Sequence, residues 1–397
     1  MRLAGQITRQ IRGPVALLVI IGLIVLVESH HRIPAFRAWT FGLVFLLFAT
    51  ITLLTRGMLR NMVLAATTVA FSLCVLEVAA TILEPKTDFE TTPQSLVARP
   101  VIGWGPGFAG THHARKRDPR TGALVFDVDY TIDDHLDRMV TSSATGPAVV
   151  FFGDSFTFGV GLSDAETLPQ QFADLTAGKT RVVNLAISGY SPQQFLREVQ
   201  TGLKDDVIGP APTAFVFLTS PFHAMRTACK ENWVHEAARF ALVEGKLVLA
   251  GRCYEGTGLI VDEFLENTAL YRLAVRPFMV RLTHADVDLY IRILAEAVQT
   301  AKAKYGVETL VPFVRTAPGY LAGTGYDDTS IFEALKSRGV QLVDMTLLDD
   351  PAKGLFYSIK GDGHPSGLAN RVRARMIADA LSVHGTSVNA EAARQPQ

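Results

Sequence analysis

Neither sign of charge is in excess in this chain, because 38 lysine and arginine residues balance 38 aspartate and glutamate residues. No basic stripe accompanies that balance, so the sequence gives no support for nucleic-acid binding. Metal-ligand spacing is missing as well: His112 and His113 would point to opposite faces of a strand, and no carboxylate or cysteine spacing completes a site with them. Internal repeats are also lacking. Nucleic-acid-binding, metal-dependent and repeat-protein interpretations are therefore set aside.

Cysteine is scarce, with three residues in the 397-residue chain. Cys74 lies in an apolar run, whereas Cys229 and Cys253 flank the segment ARFALVEGKLVLAGRCY, which predicts a β-hairpin turning at residues 244–246. Two cysteines that bracket one hairpin predict a disulfide if this part of the chain lies in an oxidising compartment. Two buried free thiols are the alternative.

Long hydrophobic runs, in contrast, fill the N-terminal region. Hydrophobic residues make up 48% of the chain, and three apolar runs occupy residues 13–27, 38–54 and 62–83. Each approaches the roughly 20 residues that an α-helix needs to cross a bilayer. A signal peptide is the alternative for the first run, but no clear small-residue cleavage site follows it. We predict three transmembrane helices within residues 1–84, with Glu77 of the third either protonated or meeting a polar partner on a neighbouring helix or on the domain.

Arginines indicate the direction in which these helices cross. Arg2, Arg9 and Arg12 precede the first run, and Arg56 and Arg60 lie between the second and the third. The positive-inside rule therefore favours a cytoplasmic N-terminus. Three crossings would then place everything after the third run outside the cytoplasm. The sequence thus predicts a multi-pass protein of a bacterial inner membrane with a periplasmic domain.

The stretch AVVFFGDSFTFG, residues 148–159, predicts a buried strand that ends abruptly at Gly153, Asp154 and Ser155 before helix-forming sequence begins. Open α/β sheets bind their ligands at the carboxyl ends of parallel strands. A hydroxyl held on a tight turn at that edge makes Ser155 a candidate nucleophile. A capping serine after a strand is the alternative, and it is a common pattern.

A second motif, GDGHPSG at residues 361–367, stands just ahead of a predicted helix. A serine nucleophile needs a base, and His364 could take the Ser155 proton. Asp362 could hold the imidazole in the correct tautomer and stabilise its cationic form, which completes a Ser/His/Asp set. A solvated histidine ahead of a helix is the alternative for His364.

The stretch NLAISGYSPQQ, residues 184–194, is a third motif. The three motifs together resemble the first, last and second blocks of the SGNH/GDSL hydrolase family, over about residues 85–385. That resemblance implies that the backbone N–H groups of Ser155 and Gly189 stabilise an oxyanion. It also implies a reaction that needs no cofactor.

One residue of the family pattern is missing. The family's third block carries an Asn just after a hydrophobic strand, whereas here the strand AFVFLTS continues into Pro221 and Phe222. Loss of an oxyanion donor costs about 10²-fold or more in turnover, so a substitute is expected. His223 and Ser220 are the two candidates, and His223 could instead be a surface or insertion-packing residue.

Strand-like and helix-like segments alternate after residue 148, which predicts a parallel sheet with helices on both faces. The resemblance implies a flavodoxin-like three-layer α/β/α domain. We expect a membrane region at 1–84, an irregular neck with short strands at 85–147, the SGNH-like domain at 148–385 and a disordered tail at 386–397. A hairpin insertion is expected at about 223–256.

These motifs favour a membrane-anchored esterase that cleaves acyl or acetyl esters of lipids or glycans through an acyl-serine intermediate. An O-acyltransferase that modifies envelope or exported polysaccharide would use the same triad and differ only in excluding water. A catalytically weak envelope binding or assembly protein is the alternative from another class, suggested by the missing Asn. The pairing of Ser155 with His364 argues against it, because a pure binding protein needs neither a nucleophile nor a base.

Overall fold

The computed structural model describes residues 2–29, 35–85, 88–92, 96–142 and 144–383. The chain forms two compact units, which are described separately. The units are named after the location that the sequence predicts: the membrane unit comprises the residues up to 86 together with 257–281, and the outer unit comprises 87–256 together with the residues from 282 onward. The tail predicted to be disordered lies outside the described residues. The predicted SGNH-like segment, 148–385, is thus split, because 257–281 groups with the N-terminal helices.

The described residues form thirteen α-helices and twelve β-strands. The helices are α1 (Arg2–Glu28), α2 (Phe36–Leu54), α3 (Gly57–Leu83), α4 (Ser155–Phe158), α5 (Leu168–Leu175), α6 (Pro192–Thr201), α7 (Asp205–Ile208), α8 (His223–Thr227), α9 (Gly256–Glu266), α10 (Arg276–Met279), α11 (His284–Tyr305), α12 (Asp328–Lys336) and α13 (Gly367–Val383). The strands are β1 (Asp88–Thr92), β2 (Leu96–Arg99), β3 (Gly103–Pro106), β4 (Gly110–Arg117), β5 (Leu124–Ile132), β6 (Ala148–Phe152), β7 (Arg181–Asn184), β8 (Ala214–Phe217), β9 (Ala238–Val243), β10 (Lys246–Arg252), β11 (Thr309–Phe313) and β12 (Gln341–Asp344).

A five-stranded parallel sheet lies at the centre of the outer unit, in the order β7-β6-β8-β11-β12. Numbered along the chain, these strands run 2-1-3-4-5, the doubly wound order of flavodoxin-like folds. Val150 and Phe152 of β6 join the core that contains α6 and α11. Val149 and Phe151 join the opposite core, with α5 and α13. The predicted α/β class with a parallel sheet is confirmed, and helices cover both faces of that sheet.

The segment expected to be a neck forms two small antiparallel sheets, β1-β4-β5 and β2-β3. Phe126 and Tyr130 of β5 pack against Phe158 and Val160, directly after the predicted nucleophile turn. The buried Arg138 donates to Asp164 at 2.8 Å and to the carbonyl of Leu162. The neck strands therefore form part of the outer unit.

The predicted hairpin insertion is present as β9 and β10, joined by the two-residue turn Glu244–Gly245. Both turn residues have positive φ, which is the requirement of the hairpin turns that match the twist of paired strands. The structure joins Cys229 and Cys253 by a disulfide, with their Cα atoms 5.3 Å apart. In the structure these two cysteines are therefore disulfide-bonded and are not free thiols.

In the membrane unit, α1 packs on α2 and α2 packs on α3. Helices α2 and α3 are long and apolar enough to cross a membrane, whereas the apolar part of α1 is shorter, at Gly13–Glu28. The structure therefore supports two membrane-spanning helices by length and composition and does not confirm the predicted third. The predicted polar partner of Glu77 is present: its carboxylate accepts hydrogen bonds from the backbone N–H groups of Ala269 and Leu270.

Candidate active site

Ser155 is the first residue of α4, directly beyond the carboxyl end of the central strand β6. The turn needs glycine at Gly153, where φ is +146° and an added Cβ would lie 2.5 Å from the hydroxyl of Thr157. Asp154 caps the helix by accepting a hydrogen bond from the N–H of Phe156 at 2.9 Å. The N–H of a first helical residue has no acceptor within its own helix. The fold therefore presents both the hydroxyl and the N–H of Ser155 at the ligand-binding edge of the sheet.

His364 and Asp362 form a hydrogen-bonded pair on the loop before α13. Nδ1 of His364 lies 2.5 Å from Oδ2 of Asp362, and the Asp362 side chain is only 2% exposed. The ring of His364 packs edge-on against the ring of Phe156, with centroids 5.7 Å apart. Since Phe156 follows Ser155, the structure brings the predicted base and its carboxylate to the predicted nucleophile turn.

Lys116 of β4 is a partner of this pair that sequence reasoning missed. Its ammonium donates to the second carboxylate oxygen of Asp362 at 3.0 Å. Burial alone would raise the pKa of Asp362, but the hydrogen bond from His364 and the charge of Lys116 outweigh burial and lower it. Asp362 is therefore held as an anion, which is the form that can orient and stabilise a protonated imidazole.

A cavity of about 600 Å³ opens beside the His364–Asp362 pair. Ser188 and Trp233 contribute to its wall at the loop that contains Gly189. Gly189 has φ of +87°, and a Cβ there would lie 3.1 Å from both Trp104 and Trp233. The remaining wall is largely apolar and comes mainly from the neck strands and the segment after α4: Phe89, Leu96, Phe126, Tyr130, Ile132, Phe158 and Val160. The predicted base and Ser188, the residue before the predicted oxyanion glycine, thus border one cavity.

His223 does not occupy the place predicted for a third oxyanion donor. It is fully buried, with Nε2 3.2 Å from Oδ2 of Asp154 and Nδ1 3.0 Å from the hydroxyl of Thr219. Thr219 in turn lies 2.9 Å from the hydroxyl of Tyr290. Both ring nitrogens are therefore engaged, so no N–H of His223 is left for an oxyanion. Its role in the structure is to hold Asp154.

Arg226 is the second side chain that donates to Asp154, and its guanidinium contacts the same carboxylate oxygen at 2.8 Å. Burial alone would raise the pKa of Asp154, but the His223 hydrogen bond and the Arg226 charge hold it well below its usual range. Burial lowers the pKa of His223, which therefore stays neutral and donates through Nε2. The aspartate that caps the nucleophile turn is thus a fixed anion.

Ser220, the other candidate for the missing donor, is buried at the end of β8. Its hydroxyl has no hydrogen-bond partner among the described residues. A buried hydroxyl without a partner costs free energy, so such groups are uncommon unless a ligand or water satisfies them. Of the two candidates, only Ser220 keeps a donor available.

No family model and no curated protein matches the chain. Among solved structures, the chain is similar to one described as a lipolytic protein of the G-D-S-L family from Desulfitobacterium hafniense, at 12% identity and a TM-score of 0.33, covering 59% of this chain and all of that one. It is also similar to one described as an arylesterase from Agrobacterium tumefaciens, at 16% identity and a TM-score of 0.30, covering 61% of this chain and all of that one. The comparison reports a likeness only. At these scores and identities, it transfers no residue role to this chain.

Proposed function

We propose that the chain is a membrane-anchored SGNH/GDSL-type esterase that works through an acyl-serine intermediate. The observation that carries the proposal is the His364–Asp362 pair at 2.5 Å, packed against the turn that bears Ser155 and bordering a largely apolar cavity. A solvated histidine would need neither a buried carboxylate nor the lysine that holds this carboxylate in place. Acyl transfer by a serine requires this set of groups.

In the proposed reaction, Oγ of Ser155 attacks the ester carbonyl carbon while Nε2 of His364 takes the hydroxyl proton. Asp362 accepts from Nδ1–H and stabilises the imidazolium. The N–H groups of Ser155 and Gly189 bind the oxyanion. His364 then protonates the departing alkoxide, and water, activated by the same histidine, releases the acid and restores Ser155.

The cavity wall favours a medium-length acyl chain as the substrate group in this site. Each buried methylene contributes about 0.8 kcal/mol, which corresponds to about fourfold in affinity. We expect kcat/KM for p-nitrophenyl esters to rise by about this factor per methylene from acetyl upward until the cavity is filled. An enzyme specific for acetyl groups on glycans would instead lose activity as the chain lengthens.

A matched pair of tryptophan variants tests this assignment of the cavity. Thr91 lines the cavity, so Thr91→Trp should cut kcat/KM for the longer esters and spare the acetyl ester. Thr111 is exposed on β4 and does not line the cavity, so Thr111→Trp should leave the whole series unchanged. Equal losses across the series in Thr91→Trp would show that the acyl chain binds elsewhere.

The location of the outer unit is proposed from the arginine distribution and the disulfide together. A bridge that closes a loop of about 25 residues contributes roughly 3 kcal/mol by the chain-entropy estimate, and it persists in an oxidising compartment such as the periplasm. Acid quenching of intact cells, followed by denaturation and alkylation at neutral pH without reductant, should therefore modify Cys74 alone. Modification of Cys229 and Cys253 in the same sample would place the outer unit in a reducing compartment.

Ser220 is proposed as the third oxyanion donor in place of the missing Asn. Removing one such donor costs about 10²-fold in turnover. We therefore expect Ser220→Ala to lower kcat by this amount with little change in KM, because the interaction forms only in the transition state. Thr309, another buried residue whose hydroxyl has no partner among the described residues, lies at the start of β11 and provides the control. Equal effects of Ser220→Ala and Thr309→Val would mark Ser220 as structural.

A further inference from the structure

The segment from α9 to α10, residues 256–279, turns apolar side chains outward. Ile260, Val261 and Phe264 are spaced i, i+1 and i+4 along α9, and Ile260 is 67% exposed. Phe278 and Met279 at the end of α10 are 70% and 72% exposed. Residues at such spacings share one side of a helix. Large apolar groups therefore dominate the exposed side of this segment, which also carries Glu263 and Asn267.

Four of the five charged residues of the same segment are half-buried, and Glu263 is the exposed one. Glu266 of α9 accepts a hydrogen bond from Arg276 of α10 at 2.8 Å. Arg272 donates through two of its nitrogens to the carboxylate of Glu84, just beyond α3, at 2.5 Å each. A segment that faced water would show the opposite arrangement, with charges outside and apolar groups inside.

Glu77 fixes the segment to helix α3. This carboxylate is 1% exposed, and its two oxygens accept from the N–H groups of Ala269 and Leu270 at 2.8 and 2.9 Å. Those two residues begin the helical stretch that leads into α10, so the carboxylate satisfies N–H groups that have no acceptor in their own helix. On the α9 side, Phe264 packs on the guanidinium of Arg37 and on Phe41 of α2. The segment is therefore an integral part of the membrane unit.

We infer that residues 256–279 form an interfacial element that inserts its exposed apolar side into the bilayer, alongside the spanning helices α2 and α3. The exposed side chains of those two helices are themselves apolar, so the segment continues a surface of the same chemistry. Paired charges inside and apolar groups outside are what a lipid environment requires, because unpaired charge is costly there. Amphipathic helices of this kind lie with their apolar side about 5–10 Å into the headgroup and acyl boundary.

Spin labels on the full chain, reconstituted into phosphatidylcholine/phosphatidylglycerol vesicles, test the inference. The label is placed at Ile260→Cys or Phe278→Cys in a Cys74→Ala background, and the control is Leu348→Cys, a leucine of the outer unit that is 79% exposed. We expect oxygen and nickel-chelate accessibilities that place the first two labels about 5–10 Å below the phosphates. The Leu348 label should lie in water. The inference would be overturned if the labels at 260 and 278 were as accessible to the nickel chelate as the control label. It would also be overturned if they were inaccessible to both oxygen and the nickel chelate, as labels buried in a protein contact are.

A Glu77→Ala variant provides a second readout. Without the carboxylate, the N–H groups of Ala269 and Leu270 lose their acceptor, so we expect the label at 278 to become more mobile and to lose its defined depth. The label at 348 in the same variant should keep its spectrum, which would show that the outer unit is still folded. An unchanged depth at 278 would contradict the anchoring role of Glu77.

Discussion

Replacing Ser155 or His364 with alanine is expected to lower esterase turnover by about 10³-fold or more. Both changes remove part of one proton-transfer and nucleophile unit, and such units fail as a whole when either member is lost. The double variant should therefore be hardly slower than either single variant. Steady-state kinetics of the full chain in detergent, on a p-nitrophenyl ester that the wild type cleaves, gives the comparison.

Asp362→Ala should cost less than either of those changes, because an orienting carboxylate contributes through the histidine and does not touch the reacting atoms. Multiplicative losses in the Ser155/His364 double variant would mean that the two residues act independently. If the Ser155→Ala variant kept a turnover near the wild-type value, Ser155 would not be the nucleophile.

Arg226→Ala is expected to destabilise the outer unit by about 3–5 kcal/mol, because it removes the charged partner of the buried Asp154 carboxylate and leaves only the neutral His223 as a side-chain donor. Arg226→Lys keeps the charge and should recover part of the loss. The measurement is the free energy of unfolding from urea titration of the full chain in detergent micelles, followed by the near-ultraviolet signal of the aromatic core.

The matched control is Arg315→Ala, which breaks an ion pair with Asp344 that is more than a third exposed on both sides. Such pairs contribute about 1 kcal/mol or less. Because the pKa of Asp154 is lowered by folding, its contribution to stability is present above the ordinary aspartate pKa of about 4 and is lost as pH falls toward the lower folded value. Equal losses in the Arg226 and Arg315 variants would show that Asp154 does not depend on Arg226.

The central sheet could be predicted from the sequence because its strands are short, continuously apolar and separated by helix signals. The turn at Gly153 could be predicted for the same reason: local chemistry alone requires a glycine and a cap there. His364 and Asp362 stand only two residues apart, so their pairing also needed little information beyond the motif. In each case the decisive interactions are local or follow the strand order.

The remaining features depend on contacts between residues far apart in the chain. Lys116 reaches Asp362 across 246 residues, and nothing in the local sequence of β4 distinguishes it from its basic neighbours. Residues 257–281 group with the N-terminal helices through Glu77, which lies 192 residues before Ala269. His223 was one of two candidates for the missing donor, and its contact with Asp154, 69 residues earlier in the chain, could not be predicted from the local sequence. Hydrophobic periodicity and turn signals are local patterns, so they do not predict contacts between residues far apart in the chain.

Reaction of the full chain with a fluorophosphonate, followed by peptide mapping, tests the central claim most directly. The account predicts one modified residue, Ser155, with labelling strongly reduced in His364→Ala because the hydroxyl is then no longer activated. A label on any other residue, or a protein that hydrolyses esters while Ser155 stays unmodified by the probe, would contradict it.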